Sequence, residues 1–380
     1  MDENYFIAAE PEEIAALREF YETNTLAEEW FFLGPRAAFA PGVVARGGHI
    51  TELTIIAGVA NLEPLAALTA LEKLDIDHSI IDDLAPLANL ANLTSLTLFE
   101  SARDHSPLAG LSRLTSLDLS GDYLEDLSPL ANLTALESLR LSGEISDLAP
   151  LKNLTGLTDL ALWLSRPADL EPLAHLVNLE SLQLEKNPLL DLAPLAHLPR
   201  LRNIGLSKNP GLDLSPLSRM EALAELNLRE SKLSDLRPLA ALFRLEGLWL
   251  GDNLIGDLGP LANLTALTRL DLAENKISDL SPLADLTALT SLWLDKNEIR
   301  DLGPLAKLTS LACLRLEHND LSDLAPLAGL TALSDLDLSH NRISDLEPLN
   351  RLTSLTNLKA AGNKLRRFRD RKLFRQKYQY

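Results

Sequence analysis

The chain has 380 residues, a formal net charge of −19, 46% hydrophobic residues and 23% charged ones. No run of 18 apolar residues occurs, which excludes a helical membrane span, and the single cysteine, Cys313, excludes an intrachain disulfide framework. The acidic balance argues against nucleic acid and for a protein partner of basic or mixed charge, and it also keeps a long leucine-rich surface soluble.

The chain opens Met1-Asp-Glu-Asn-Tyr-Phe, without a basic stretch followed by an apolar run. No signal peptide is therefore expected, and a cytoplasmic location is. Residues 1–48 fit no part of the pattern that follows. Pro11-Glu12-Glu13 predicts the start of a helix with Ile14, Leu17, Phe20 and Tyr21 on one face. Thr25 and Glu28 form a capping box for a second short helix ending near Trp30. The segment is expected to act as a helical cap that closes the apolar end of a stack.

The stack begins at His49-Ile-Thr-Glu-Leu-Thr-Ile55, and one strand per unit from Ile50 to Leu358 gives fifteen strands. Its first half is irregular. Leu93 to Leu114 and Leu136 to Leu157 span 21 residues, and Phe99-Glu-Ser-Ala-Arg-Asp-His-Ser106 lacks the usual Ile and Leu. That segment reads either as drift in a tolerant loop or as a bent patch beside a binding surface.

From Leu179 to Leu355 the period is 22 residues without a slip. One copy runs from Leu267 through Asp-Leu-Ala-Glu-Asn-Lys-Ile-Ser-Asp-Leu-Ser-Pro-Leu to Ala288. Leu270 and Leu272 alternate inward on a short strand, and stacked strands pair as a parallel sheet. Asn275 and its equivalents Asn187, Asn209, Asn253, Asn297, Asn319, Asn341 and Asn363 stand at the turn. A buried amide there can bond backbone groups of its own turn and the adjacent one. Ser79, Ser101, Asp122 and Ser165 fill this position in the irregular half. Ser281-Pro282-Leu283 predicts a one-turn helix with Ser as N-cap and Pro at the first helical position. Only about a dozen residues follow each strand, so 3₁₀ turns are expected rather than α-helices.

The template L-x-x-L-x-L-x-x-N-x-I with I-S-D-L-x-P-L-A-x-L-T-x-L resembles the 22-residue leucine-rich repeat of bacterial internalins. It is also similar to the repeat class of the regulatory subunit of eukaryotic protein phosphatase 1. The resemblance covers roughly residues 50–365. It implies an α/β solenoid: a curved array with a parallel concave β-sheet, mainly 3₁₀ turns on the convex side and a helical N-terminal cap. The expected organisation is a cap over 1–48, the array over 49–363 and a basic C-terminal cap or tail over 364–380. This last segment holds eight Lys/Arg against one Asp, so the remainder carries 27 basic and 53 acidic residues. The Ala/Leu/Arg-rich usage suggests a bacterial source.

Function is expected in the columns that the template leaves free. The middle residue of L-x-L reads Asp118, Arg140, Ala161 and later Trp249, Asp271, Trp293, Arg315, Asp337. The next outward column holds Phe99, Trp163, Arg229 and Asp295. Exposed aromatics beside arginines are the usual composition of a binding hot spot. Trp249, Trp293, Arg315, Asp271, Arg229, Trp163, Phe99 and Arg140 are therefore the candidate partner-binding residues. The main expectation is a monomeric, non-enzymatic scaffold that grips a protein on its concave face. An inhibitor blocking a basic enzyme through Asp75, Asp77, Asp118, Asp271, Asp295 and Asp337 is an alternative. A regulatory subunit of a phosphatase or other enzyme is another. No catalytic set, cofactor or metal site is expected. His318 and His340 recur at one repeat position with Glu317 beside them, but neighbouring columns of one sheet face diverge, whereas a metal needs converging ligands.

Overall fold

The computed structural model describes residues 9–24, 42–56, 58–77, 81–100, 102–121, 124–163, 165–187 and 191–365. The chain divides into two compact units, Met1–Leu189 and Leu190–Tyr380. The fold of each is a leucine-rich-repeat stack of short strands alternating with 3₁₀ turns.

The first unit begins with helix α1 (Pro11–Thr23), started by its proline and bearing Glu12 and Glu13 in the first turn. It buries Glu13, Ala16, Leu17 and Phe20, a face rotated from the predicted one, so that Ile14 and Tyr21 are only half-buried. The rotation follows from Glu13. Its carboxylate accepts the Ile50 N–H at 2.7 Å and lies 3.0 Å from His49 Nδ1. At the other end Asn24 Nδ2 donates to Phe20 O and Asn61 O, while its Oδ1 accepts the Ala60 and Asn61 N–H groups. The helix is thus hydrogen-bonded to the first repeat at both ends. Strand β1 (Val43–Arg46) pairs antiparallel with β2 (His49–Ile56), a hairpin that the sequence reading left as irregular chain. The predicted capping box at Thr25 and the helix near Trp30 lie outside the described residues.

Strands β3 (Lys73–Asp77), β4 (Ser95–Glu100), β5 (Ser116–Gly121), β6 (Ser138–Ser142), β7 (Asp159–Trp163) and β8 (Ser181–Gln183) continue the first unit as successive parallel neighbours of β2. The second unit holds β9 (Asn203–Gly205), β10 (Glu225–Asn227), β11 (Gly247–Trp249), β12 (Arg269–Asp271), β13 (Ser291–Trp293), β14 (Cys313–Arg315), β15 (Asp335–Asp337) and β16 (Asn357–Lys359), again parallel and in register. The core of each repeat is the template leucines. Leu270, Leu272, Ile277, Leu280, Leu283, Leu286 and Leu289 are all at most 1% exposed, each contributing ~1.5–3 kcal/mol of burial.

Strands β3 to β7 have five or six residues, whereas β9 to β16 have three. The asparagine ladder accounts for the difference. Asn275 Nδ2 donates to Leu250 O of the preceding repeat and to Leu272 O and Ala273 O of its own, while its Oδ1 accepts the Ile255 N–H. The same set recurs at Asn297, Asn319, Asn341 and Asn363. The residue before each Asn takes a left-handed conformation (Lys186, Lys208, Asp252, Glu274, Lys296, His318 and His340, φ between 52° and 62°), which turns the chain out of the strand. Ser165, in the Asn position, reaches only Gly143 O and Trp163 O through its hydroxyl. Asn187 Oδ1 is buried without a hydrogen-bond partner. The N–H twenty residues earlier, which serves Asn253, Asn275, Asn297, Asn319, Asn341 and Asn363, belongs there to Pro167 and does not exist.

The 3₁₀ turns correct one expectation. Ser281 is not the N-cap of its turn; Leu280 is, with no side-chain capping bond. Asp279 Oδ1 instead accepts the Ser281 N–H at 2.8 Å, an Asx turn that satisfies the one donor left before Pro282. Among the described residues, thirteen aspartates do this at 2.7–3.0 Å, from Asp83 to Asp345. Thirteen of the 54 acidic residues therefore have a structural duty that is no signature of a ligand. At Asp104, Asp126, Asp213 and Asp279 the side chain and then the N–H of the serine two residues on lower the carboxyl. Asp235 is lowered to about 2, first by the Arg237 side chain and then by the Arg237 N–H. A carboxyl depressed in the folded state stabilises above its unfolded pKa, so this contribution is present above pH 3.8 and is lost as pH falls toward about 2. Titration followed by carboxyl NMR is expected to give an Asp235 midpoint well below the usual value. Arg237→Ala should raise it only part-way, because the backbone donor remains. A midpoint in the ordinary range in the unaltered protein would contradict the Asx-turn account.

Candidate partner-binding face

Strand alternation sends the template leucines inward and the residues between them outward. In the second unit the register places Asn227, Trp249, Asp271, Trp293, Arg315, Asp337 and Lys359 in one row. Trp249 and Trp293 are two strands apart, about 10 Å. Both are half-buried, not exposed as the sequence suggested. For Trp249 the reason is Gly247 in the row beside it. A Cβ at Gly247 would meet Trp249 Cη2 at 2.6 Å, so the indole covers the glycine. Arg269 stands 5.5 Å from the centre of the Trp249 ring, within cation–π range. It also pairs with Glu225 across the same glycine. Burial pushes the Glu225 carboxyl up, against the pull of Arg269.

The charged candidates are paired. Asp271 is 2% exposed and accepts Arg229 Nε at 2.6 Å and the Ala273 N–H at 3.1 Å. Arg315 Nη2 donates to Asp335 Oδ2 at 2.7 Å and Nη1 to Asp337 Oδ2 at 3.4 Å. Asp337 is 4% exposed, and Lys359 Nζ approaches it at 3.7 Å. Asp295 accepts the Glu317 N–H, and burial raises its pKa. Four of the five candidates in this unit thus occupy one row, and Arg229 joins them through Asp271. The sequence reading missed Glu225, Gly247, Arg269 and Asp335. All four lie in the column just before the first strand leucine, which becomes informative only when it is written out beside the other two.

In the first unit, Phe99, Ser120, Ser142 and Trp163 form one row and Asp118, Arg140 and Ala161 the adjacent one. Phe99 is 45% exposed, Trp163 half-buried and Arg140 exposed. Burial raises the Asp118 carboxyl, opposed by Arg140. Two hydroxyls therefore separate the two aromatics. The side chain of Asp77 lies outside what the structure describes.

The divergence of sheet columns does not extend to His318 and His340. Both belong to the left-handed turn, not to a strand column (φ 54° and 56°). Their rings stack with centroids 4.3 Å apart and planes 2° from parallel. With Glu317 they offer ligand atoms that all lie within 4.8 Å of one another.

No helix among the described residues is long and apolar enough to cross a membrane. A family model described as leucine-rich repeats (2 copies) matches residues 243–285 and 287–329. An internalin, InlF, from Listeria monocytogenes is 36% identical, with 77% of this chain and 90% of that one covered and a TM-score of 0.68. A leucine-rich-repeat protein of Leptospira interrogans is 21% identical, covering 86% and 90%, with a TM-score of 0.75. The plant peptide hormone receptor RGFR1 in complex with RGF2 is 20% identical, covering 86% and 68%, with a TM-score of 0.52. Among curated proteins no relative matches.

Proposed function

We propose, for a chain that belongs to the internalin-like leucine-rich-repeat proteins, that it is a non-enzymatic scaffold whose second unit holds a protein partner on the outer face of its sheet. The carrying observation is the row Trp249–Asp271–Trp293–Arg315–Asp337, where two large indoles stand on positions that the repeat does not require to be apolar. Half-buried aromatics held by their neighbours lose little side-chain freedom on binding, which favours them as anchors. The paired Arg229–Asp271 and Arg315–Asp335 groups supply an ordered polar rim. A plant peptide hormone receptor of the same fold, RGFR1, is solved in complex with RGF2. A partner of mixed charge suits the row better than a strongly basic one, since Asp271 and Asp337 are already neutralised. A monomeric state and a cytoplasmic location are part of this reading; the lone Cys313 fits the latter.

The test is site-specific photo-crosslinking in native lysate. A photoreactive residue at Ala273, two residues after Asp271 in the repeat that separates the two indoles, should capture a discrete protein. The same group at exposed Thr287, in the turn that follows the 3₁₀ segment, should not. Capture of that protein from Thr287 alone would place the interface elsewhere.

A further inference from the structure

We propose that Glu317, His318 and His340 form a binding site for a d-block divalent cation such as Zn²⁺, Ni²⁺ or Co²⁺. The three residues come from two successive repeats. His318 and His340 occupy the same left-handed turn position, so each imidazole leaves the backbone in the same direction. The backbone fixes this alignment: the His318 N–H donates to Ser339 O at 3.0 Å, tying one turn to the next. Glu317 Oε1 lies 3.5 Å from His318 Nε2, and the ligand atoms of all three residues fall within 4.8 Å.

Two imidazole nitrogens and a carboxylate oxygen are the donor set of a three-ligand zinc site, with water completing the tetrahedron. Imidazole selects zinc, nickel, cobalt and copper over magnesium and calcium, which take oxygen ligands. Metal–nitrogen bonds of ~2.0–2.1 Å in a tetrahedron bring the two nitrogens to roughly 3.3 Å apart. The lone pairs of parallel stacked rings do not converge. Binding therefore turns the imidazoles out of the stack, and the His318 side chain, half exposed, has room to turn. Gly362 continues the column at the next repeat, where a Cβ would meet His340 Nδ1 at 2.4 Å. The His340 imidazole therefore lies over the glycine, in space that a side chain at 362 would otherwise take. The earlier column positions from Lys186 to Lys296 hold Lys or acidic residues, with Lys208–Glu230 and Lys296–Glu274 paired across repeats, so the two histidines depart from a charged column.

The full-length protein is titrated with ZnCl₂ and NiCl₂ by calorimetry at pH 7.5, and Co²⁺ absorption reports the ligand geometry. One equivalent of metal should bind. Lowering the pH to 5.5 should weaken binding, because protons compete with the metal for imidazole nitrogens. His318→Gly and His340→Gly, which suit the left-handed backbone, should each weaken binding roughly tenfold or more. Glu317→Gln should weaken it less, and His175→Ala with His197→Ala should leave it unchanged. Absence of stoichiometric binding overturns the proposal. So does binding that survives His318→Gly with His340→Gly in a protein that keeps its melting temperature.

Discussion

Asn297→Ala is expected to lower the free energy of unfolding by ~2–4 kcal/mol, a larger loss than a single exposed-face substitution causes. Asn297 Nδ2 serves Leu272 O at 2.9 Å, Leu294 O at 3.2 Å and Asp295 O at 3.2 Å, and its Oδ1 accepts the Ile277 N–H at 3.0 Å. Alanine leaves the buried Ile277 N–H of the preceding repeat without a partner, which costs ~1–3 kcal/mol, and removes one of two donors from Leu272 O, Leu294 O and Asp295 O, which keep Asn275, Asn319 and the Glu274 N–H. The damage crosses a repeat boundary, so the loss is one of coupling between neighbours as well as of local stability. Hydrogen exchange at the Ile277 amide should accelerate together with the fall in denaturant midpoint. Asn187→Ala should cost less, because the Asn187 Oδ1 already lacks a donor. Equal losses at the two positions would mean that the ladder is not what couples the repeats.

The repeat made most of this fold legible in the sequence. A 22-residue period with alternating leucines can bury its apolar face only by stacking, so the parallel strands and 3₁₀ turns followed from spacing. The role of Asn275 was also readable, since a side chain with two donors and one acceptor in a buried turn has few other uses. The hairpin of β1 and β2 was not legible, because four residues paired once carry no periodic signal. Nor was the duty of the template aspartates. Asp279 looked like surface charge, while Ser281 carried the familiar capping signature; the choice between them depends on which N–H the 3₁₀ turn leaves open. In the candidate face, columns predicted neighbours correctly but not exposure. Trp249 was read as exposed because the column holding Gly247 was not compared with it, and Arg315 was read as available although Asp335 sits one strand away in that same column.

Trp249→Ala combined with Trp293→Ala is expected to abolish partner binding by the second unit. Truncation of a central aromatic costs ~2–4 kcal/mol of association, roughly 30- to 1,000-fold in affinity per residue. Because both indoles are half-buried, the change also touches stability: Trp249 covers Gly247 and lies against Arg269. A loss of roughly 1–2 kcal/mol of folding free energy per site is expected from the apolar area uncovered. That loss leaves a repeat array folded under native conditions, so circular dichroism should stay unchanged while affinity, measured by biolayer interferometry with the partner captured by crosslinking at Ala273, collapses. Gly247→Ala provides an independent check that deletes no aromatic. Its methyl would come within 2.6 Å of Trp249 Cη2 and 2.0 Å of Glu225 Oε2, so the indole and the Glu225–Arg269 pair must shift. If the indole's position rather than mere apolar area forms the anchor, Gly247→Ala should weaken binding while Thr287→Ala, away from the face, does not. Unaltered affinity in the double tryptophan variant would remove this row as the interface and direct attention to Phe99, Arg140 and Trp163 of the first unit.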